Sequence, residues 1–330
     1  MNPRGAALHE LVVHHVQIGR QWMDRGHYSF SWWPGFLAQR VTSYTEIKYK
    51  EGFLVPLVAN TRIAVRTREG ETRASLVMNE LNIRSTGTSA MVWVPETGSV
   101  VLSTRQIVTM PQPTSELGWF ASRAILQARD AHDLADEVVG LLGGTRADSA
   151  PPGLKPRRTK DRVLGILERV FVPSCNTWDP SFWQAETKNT ARFLEESGFS
   201  VSSTPRSLDA RTTTVMGEVT LRFEAVSSSK AGSGTRVTLE LPVRGEKEQM
   251  AVMANRRNLY EAGHMDSFSI AGAWRALPHD NVDSSLGFVS FLPSVLHVPG
   301  YHCFSVLTQL ERLASVLRFF EGNGEPGLEE

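Results

Sequence analysis

Residues 74–109 read ASLVMNELNIRSTGTSAMVWVPETGSVVLSTRQIVT. The stretch opens as a helix around Ala74–Asn82 and continues as two apolar, β-branched runs, Ala90–Pro95 and Ser99–Thr109. Glu96-Thr97-Gly98 between them has the chemistry of a compact hairpin turn. Downstream, Leu117, Phe120, Ala124, Ala128, Ala131, Leu134, Val138 and Leu141 fall on one face of a long helix. Upstream lie strand-like segments, Tyr28–Thr42 and Leu54–Thr67, the latter followed by a turn at Glu69-Gly70. They are preceded by an amphipathic helix carrying Leu8, Leu11, Val12, His15, Ile18 and Trp22 and ending at Gly26.

The same order returns further along. Asp179-Pro180 has the chemistry of a helix start, and that helix runs to Ser197-Gly198. Strands are expected over Phe199–Thr204, Val215–Val226 and Thr235–Val243, then a helix over Glu246–Ala262, then strands over Ser267–Ala276 and Gly287–Val298. A last helix carries Cys303, Leu307, Leu310, Ala314 and Leu317 on one stripe. Each half therefore reads helix, three strands, helix, two strands, helix. Residues repeat as well: Asn79-Glu-Leu-Asn82 matches Asn255-Arg-Arg-Asn258 near the end of each middle helix, and Gly98-Ser-Val-Val-Leu matches Gly287-Phe-Val-Ser-Phe.

This arrangement, an N-x-x-N helix followed by a strand, a glycine turn, a second strand and a long amphipathic helix, resembles the type III secretion chaperone-like superfamily with its YbjN-type members. The resemblance spans most of the chain in two copies. It implies an α+β fold of two tandem α-β-β-β-α-β-β-α domains, with helices packed on antiparallel sheets. It also implies a non-enzymatic module that binds segments of a partner protein. Two departures stand out: Trp32 and Trp33 in the first strand, and long inserts between Ala276 and Leu286.

The stretch Gly143–Lys160, GGTRADSAPPGLKPRRTK, breaks the apolar pattern. It divides the chain into a first domain over residues 1–143, an exposed basic linker over 144–162 and a second domain over 163–330. A linker of this length lets the halves pack on each other as an intramolecular pseudo-dimer, as single-domain relatives pair between chains.

The 330 residues are 41% hydrophobic and 21% charged, enough apolar material for packed cores. Lys+Arg and Asp+Glu both total 35, so the global basic footprint of a nucleic-acid binder is missing. With two cysteines, no signal-peptide core and no apolar run long enough to span a bilayer, the expected setting is the cytoplasm, with no membrane partner.

Templates for chemistry fail one by one. In His9-Glu10-Leu11-Val12-Val13-His14 the histidines are five apart, whereas a zinc helix needs four. Gly232-Ser233-Gly234 sits between two strands rather than at a strand-to-helix elbow. Gly143-Gly144 follows a helix, where a phosphate cradle would follow a strand, and His279-Asp280 reads as a solvated turn. Cys175 reads as an inert loop thiol and Cys303 as core. No catalytic, metal or cofactor residue is expected. The competing expectations are a structural subunit of a larger assembly, or an enzyme assembled from distant residues such as the scattered histidines and Cys175.

Aromatic residues carry the remaining signal. Consecutive strand residues face opposite ways, so Trp32 and Trp33 enter one core together only if a covering layer buries the second face. Phe36 and Leu37 repeat the pattern. Trp32, Trp33, Phe36 and Leu37 are accordingly the candidate docking strip for a partner protein or peptide segment.

Overall fold

A computed structural model describes residues 3–49, 51–110, 115–165, 180–228, 232–263, 271–279 and 283–320. It is an α+β protein with two antiparallel sheets. The first contains β1 (Met23–Arg25), β2 (Ser29–Trp32), β3 (Gln39–Ser43), β4 (Ile47–Tyr49), β5 (Gly52–Val65), β6 (Ala90–Val94), β7 (Ser99–Met110) and β8 (Thr145–Arg146). Its order is β1-β2-β3-β5-β7-β6, with β4 and β8 paired to the ends of β5. The second contains β9 (Ser200–Thr204), β10 (Ser207–Thr214), β11 (Gly217–Ser228), β12 (Gly232–Gly245), β13 (Ala273–His279) and β14 (Asp283–Pro293), in the order β13-β14-β12-β11-β10-β9. The hairpin at Glu96-Thr97-Gly98 forms as expected: Gly98 adopts φ +55°, which costs glycine nothing, and its N–H bonds Pro95.

Among the described residues, six helices of fourteen residues or more cover the sheets: α1 (Pro3–Val16), α2 (Glu71–Arg84), α3 (Ser115–Leu142), α4 (Pro180–Glu196), α5 (Lys247–Gly263) and α6 (Tyr301–Phe320). In the first half, Leu8 and Val12 of α1 and Phe120 and Ala124 of α3 pack on Trp32, Val41, Leu57 and Val108. The other end of α3 joins α2 over Ile63, Met91 and Leu102. In the second half, Leu194, Met250, Val306 and Leu313 pack over Leu221, Leu239 and Phe288. The opposite sheet face carries exposed Arg40 and Arg62 in the first half, and Arg222 and Arg236, paired with Asp209 and Glu224, in the second.

Several expectations are corrected. Tyr28–Thr42 is two strands, because Pro34-Gly35 turns the chain between them. Gly35 lies against α3 so closely that a Cβ would sit 2.5 Å from the His132 imidazole. The second half has four strands before its middle helix; β10, SLDARTTT, was hidden because only Leu208 and Ala210 supply its buried face. No long insert separates Ala276 from Leu286, since β13 runs to His279 and β14 begins at Asp283. The Asp179 helix start lies outside the described residues.

The linker is also not a free tether. Gly143 ends α3 at φ +69°, β8 then pairs with β5, Ser149 N–H bonds Phe36 O, and Asp161 N–H bonds Pro34 O at 2.6 Å. Val163 and Leu164, placed by the sequence reading in the second domain, are buried in the first half's core. Backbone hydrogen bonding, invisible in a Pro- and Gly-rich string, pins this segment while most side chains of 152–160 stay exposed.

Candidate binding site at the seam between the halves

Two inner edge strands, β6 and β13, meet at the seam. An edge strand presents every second residue's N–H and C=O outward, and these groups need partners when buried. Asparagine side chains provide them. Asn82 of α2 accepts from Met91 N–H (2.8 Å) and donates to Met91 O (2.9 Å), and Asn258 of α5 treats Trp274 in the same way (2.8 and 3.0 Å). The first asparagine of each pair reaches across. Asn255 clamps Trp93 N–H and O, both at 3.0 Å, and Asn79 clamps Ala276 at 2.7 and 3.5 Å. A spacing of three puts both amides on one helix face, and each pair thereby holds one strand of each half. All four asparagines are buried. At the exposed end of this contact Arg256 pairs with Glu71 at 2.7 Å; the hydrogen bonds to Arg256 hold the Glu71 carboxyl below its usual range.

The seam continues between α3 and α6. Trp119 of α3 joins the second half's core, stacks on Tyr301 at 4.2 Å and donates its indole N–H to Leu296 O at 2.9 Å. Tyr301, Ser305, Thr308, Gln309 and Arg312 form a buried polar stripe along α6, at helical spacing. This corrects the expected apolar stripe on that helix: Leu307 is 49% exposed and Ala314 exposed, while Cys303 is only half-buried beside Thr190. The stripe borders a cavity of about 20 Å3 together with Arg123, Ser290, Leu292, Ala271 and Phe304. Arg123 donates to Gln106 Oε1 (2.5 Å) and Tyr301 Oη (2.6 Å). Burial raises the Tyr301 phenol above its ordinary range, so it remains a neutral hydroxyl.

Outside this polar seam runs an apolar groove of about 310 Å3. Its walls are Trp119, Ala121 and Ile125 of α3, His15 of α1, and Leu296, His297 and Val298 of the turn before α6. Exposed apolar side chains flank it: Leu11, one turn before His15, and Phe304, against Trp119. Behind the groove, burial lowers His297 to about 4 and His302 to about 3. Both rings are neutral near pH 7: His297 bonds Leu292 O, and His302 shares a 2.9 Å hydrogen bond with Thr235. Glu186 of α4 accepts from Gly300 and His302 N–H, satisfying donors at the start of α6.

The proposed docking strip is not available as a surface. Trp32 is 2% exposed, its indole N–H donating to Gln39 Oε1 at 2.7 Å, and Leu37 is fully buried. Gln39 in turn bonds Ala124 O and Gln127, and Gln127 donates to Ala59 O and Leu102 O, so the polar atoms of this core are matched. Trp33 is 6% exposed, since β2 ends at Trp32 and the linker closes over it: its indole bonds Ser149 Oγ, and Arg157 bonds its carbonyl. Phe36 lies half-buried between His132 and the Arg146 guanidinium, 4.1 Å from its ring centroid. The covering layer for the second face is thus the linker.

Other candidates are dispersed. His9 is buried against Phe30, while His14 and His15 are exposed. His132 donates to Ala128 O and accepts from Leu37 N–H, and burial lowers its pKa. Cys175, His264 and Asp280 lie outside the described residues. Among the described residues no group of three or more His, Cys, Asp or Glu side chains is placed to hold a metal, and no helix is long and apolar enough to cross a membrane. The seam residues Trp119, Arg123 and Tyr301 escaped the sequence reading. The polar spacing of Ser305, Thr308, Gln309 and Arg312 within an otherwise apolar helix was the available signal. Comparison of the chain with protein-family models, curated proteins and solved structures finds no match.

Proposed function

We propose that the chain is a non-enzymatic, chaperone-like adaptor, an intramolecular pseudo-dimer that holds an apolar-faced helix of a partner protein in the groove over Trp119 and Ile125. The observation that carries this reading is the groove itself, in which apolar and aromatic walls span both halves with few polar groups to orient chemistry. A helix suits it better than an added strand. The groove runs between two helices, α1 and α3, and the turn before α6, and the inner sheet edges that a strand would extend are already occupied by asparagine amides. The reciprocal clamps support the pseudo-dimer and with it the resemblance to the chaperone-like superfamily.

A photo-crosslinking residue at Val298 tests this in cells. The expected product joins Val298 to an amphipathic helix of one partner, and the purified pair re-forms in vitro. Val298→Glu, at an exposed position of the groove wall, should abolish that pair with an unchanged melting temperature. Binding that persists in Val298→Glu, or turnover of a metabolite abolished by one substitution without unfolding, overturns the reading.

A further inference from the structure

We propose that the polar cavity between α3 and α6 is a halide site, holding one chloride ion that ties the two halves together. The cavity measures about 20 Å3. On a scale where about 10–15 Å3 accommodates one water, it takes a water-sized or monatomic occupant and excludes sulfate, phosphate or a carboxylate group. Among its described lining residues Phe304 is exposed and the others are buried.

Charge decides between the two occupants that fit. Arg123, contributed by the first half, is 3% exposed, and its partners Gln106 and Tyr301 are both neutral. Its Nε has no partner, nor does the hydroxyl of Ser290, which also lines the cavity. Among the described residues no carboxylate pairs with Arg123. The second guanidinium, Arg312, is 1% exposed and bonds Glu261, but that carboxylate also serves Arg257 and the Trp274 indole. Glu311, exposed, also acts on Arg312. The cavity is therefore lined by two buried guanidinium groups, and among the described residues no carboxylate pairs with the first of them, Arg123. A buried charge without a counter-charge is costly, and a water molecule would satisfy hydrogen bonds while leaving that charge uncompensated. A monatomic anion answers both needs, accepting from Arg123 Nε–H and Ser290 O–H.

The full-length chain is tested in two ways. Crystals soaked in sodium bromide should show an anomalous peak within hydrogen-bond reach of Arg123 Nε and Ser290 Oγ. In solution, sodium chloride or bromide should raise the melting temperature saturably by about 2–4 °C over sodium gluconate at equal ionic strength. Arg123→Gln should lose this response. Should that variant not fold, Ser290→Ala, which removes one donor and little volume, should weaken halide affinity several-fold and shift the dose-response accordingly. Solvent density without a bromide peak, a melting temperature that follows ionic strength whatever the anion, or an unchanged halide response in both variants would overturn the proposal. So would a bromide peak with no effect on stability, which marks an adventitious ion only. Partner binding enters none of these readouts, so they stand or fall separately from the adaptor function.

Discussion

Asn79 and Asn82 sit three residues apart on one helix and make the same two-bond contact with a strand edge, yet one holds the other half and the other its own. Asn255 and Asn258 repeat the division in reverse. The comparison teaches that the seam uses the same device each half uses to protect its own inner edge: a buried amide in the place of a missing strand. Docking of the halves is thereby an extension of folding within each half, and the two inner edges are closed to strand addition by any other chain.

The comparison breaks most visibly if both crossing asparagines are removed. Each Asn→Ala change leaves a buried N–H and a buried C=O without a partner, at about 1–3 kcal/mol per group. Asn79→Ala with Asn255→Ala strands four such groups and should therefore cost about 4–12 kcal/mol, and limited proteolysis should release separated halves. Asn82→Ala with Asn258→Ala should cost a similar amount but loosen each half internally. Identical proteolytic patterns for the two double variants would contradict the division of labour.

Within the first half, Trp32→Ala should cost about 3–5 kcal/mol, through the cavity left and the stranded Gln39 carbonyl, measured by urea unfolding. A variant that melts normally would return Trp32 to the surface and reopen the docking strip.

Acid bears on both halves, because burial depresses His9 and His132 in the first as it depresses His297 and His302 in the second. The folded pKa values of His297 and His302 are lowered from 6.5 to about 4 and about 3, so the unfolded chain binds protons first as pH falls. The stability they confer is fully present above pH 6.5 and is lost progressively down to the folded values. Between pH 6.5 and 5 the loss is about 2 kcal/mol per histidine. His302→Asn should flatten this slope in denaturant titrations run across that range, whereas an unaltered slope would refute the assignment.

The smallest effect belongs to an exposed contact between the halves. Arg256–Glu71 spans the same seam as the clamps but lies exposed, so Arg256→Ala should change stability by no more than about 0.5 kcal/mol, and less in high salt. A larger loss would mean that surface ion pairs, rather than buried amides, hold the halves together.

By itself the sequence determined the α+β class, the hairpin at Gly98 and the placement of two asparagines on one face of each middle helix, but not the number of strands before those helices, among the described residues five in the first half and four in the second. The features it determined rest on local periodicity and turn chemistry, which neighbouring residues settle among themselves. Periodicity says which side chains share a face, but not what that face meets. Only the tertiary structure decided that Asn79 and Asn255 cross the seam, since the partner of an amide depends on where the other half's edge arrives. The same limit hid the inward polar stripe of α6, whose serine, threonine, glutamine and arginine are buried because Arg123 and the cavity lie opposite. It also hid the burial of Trp33, covered by a linker whose composition suggests solvent but whose backbone hydrogen bonds hold it down on the first half.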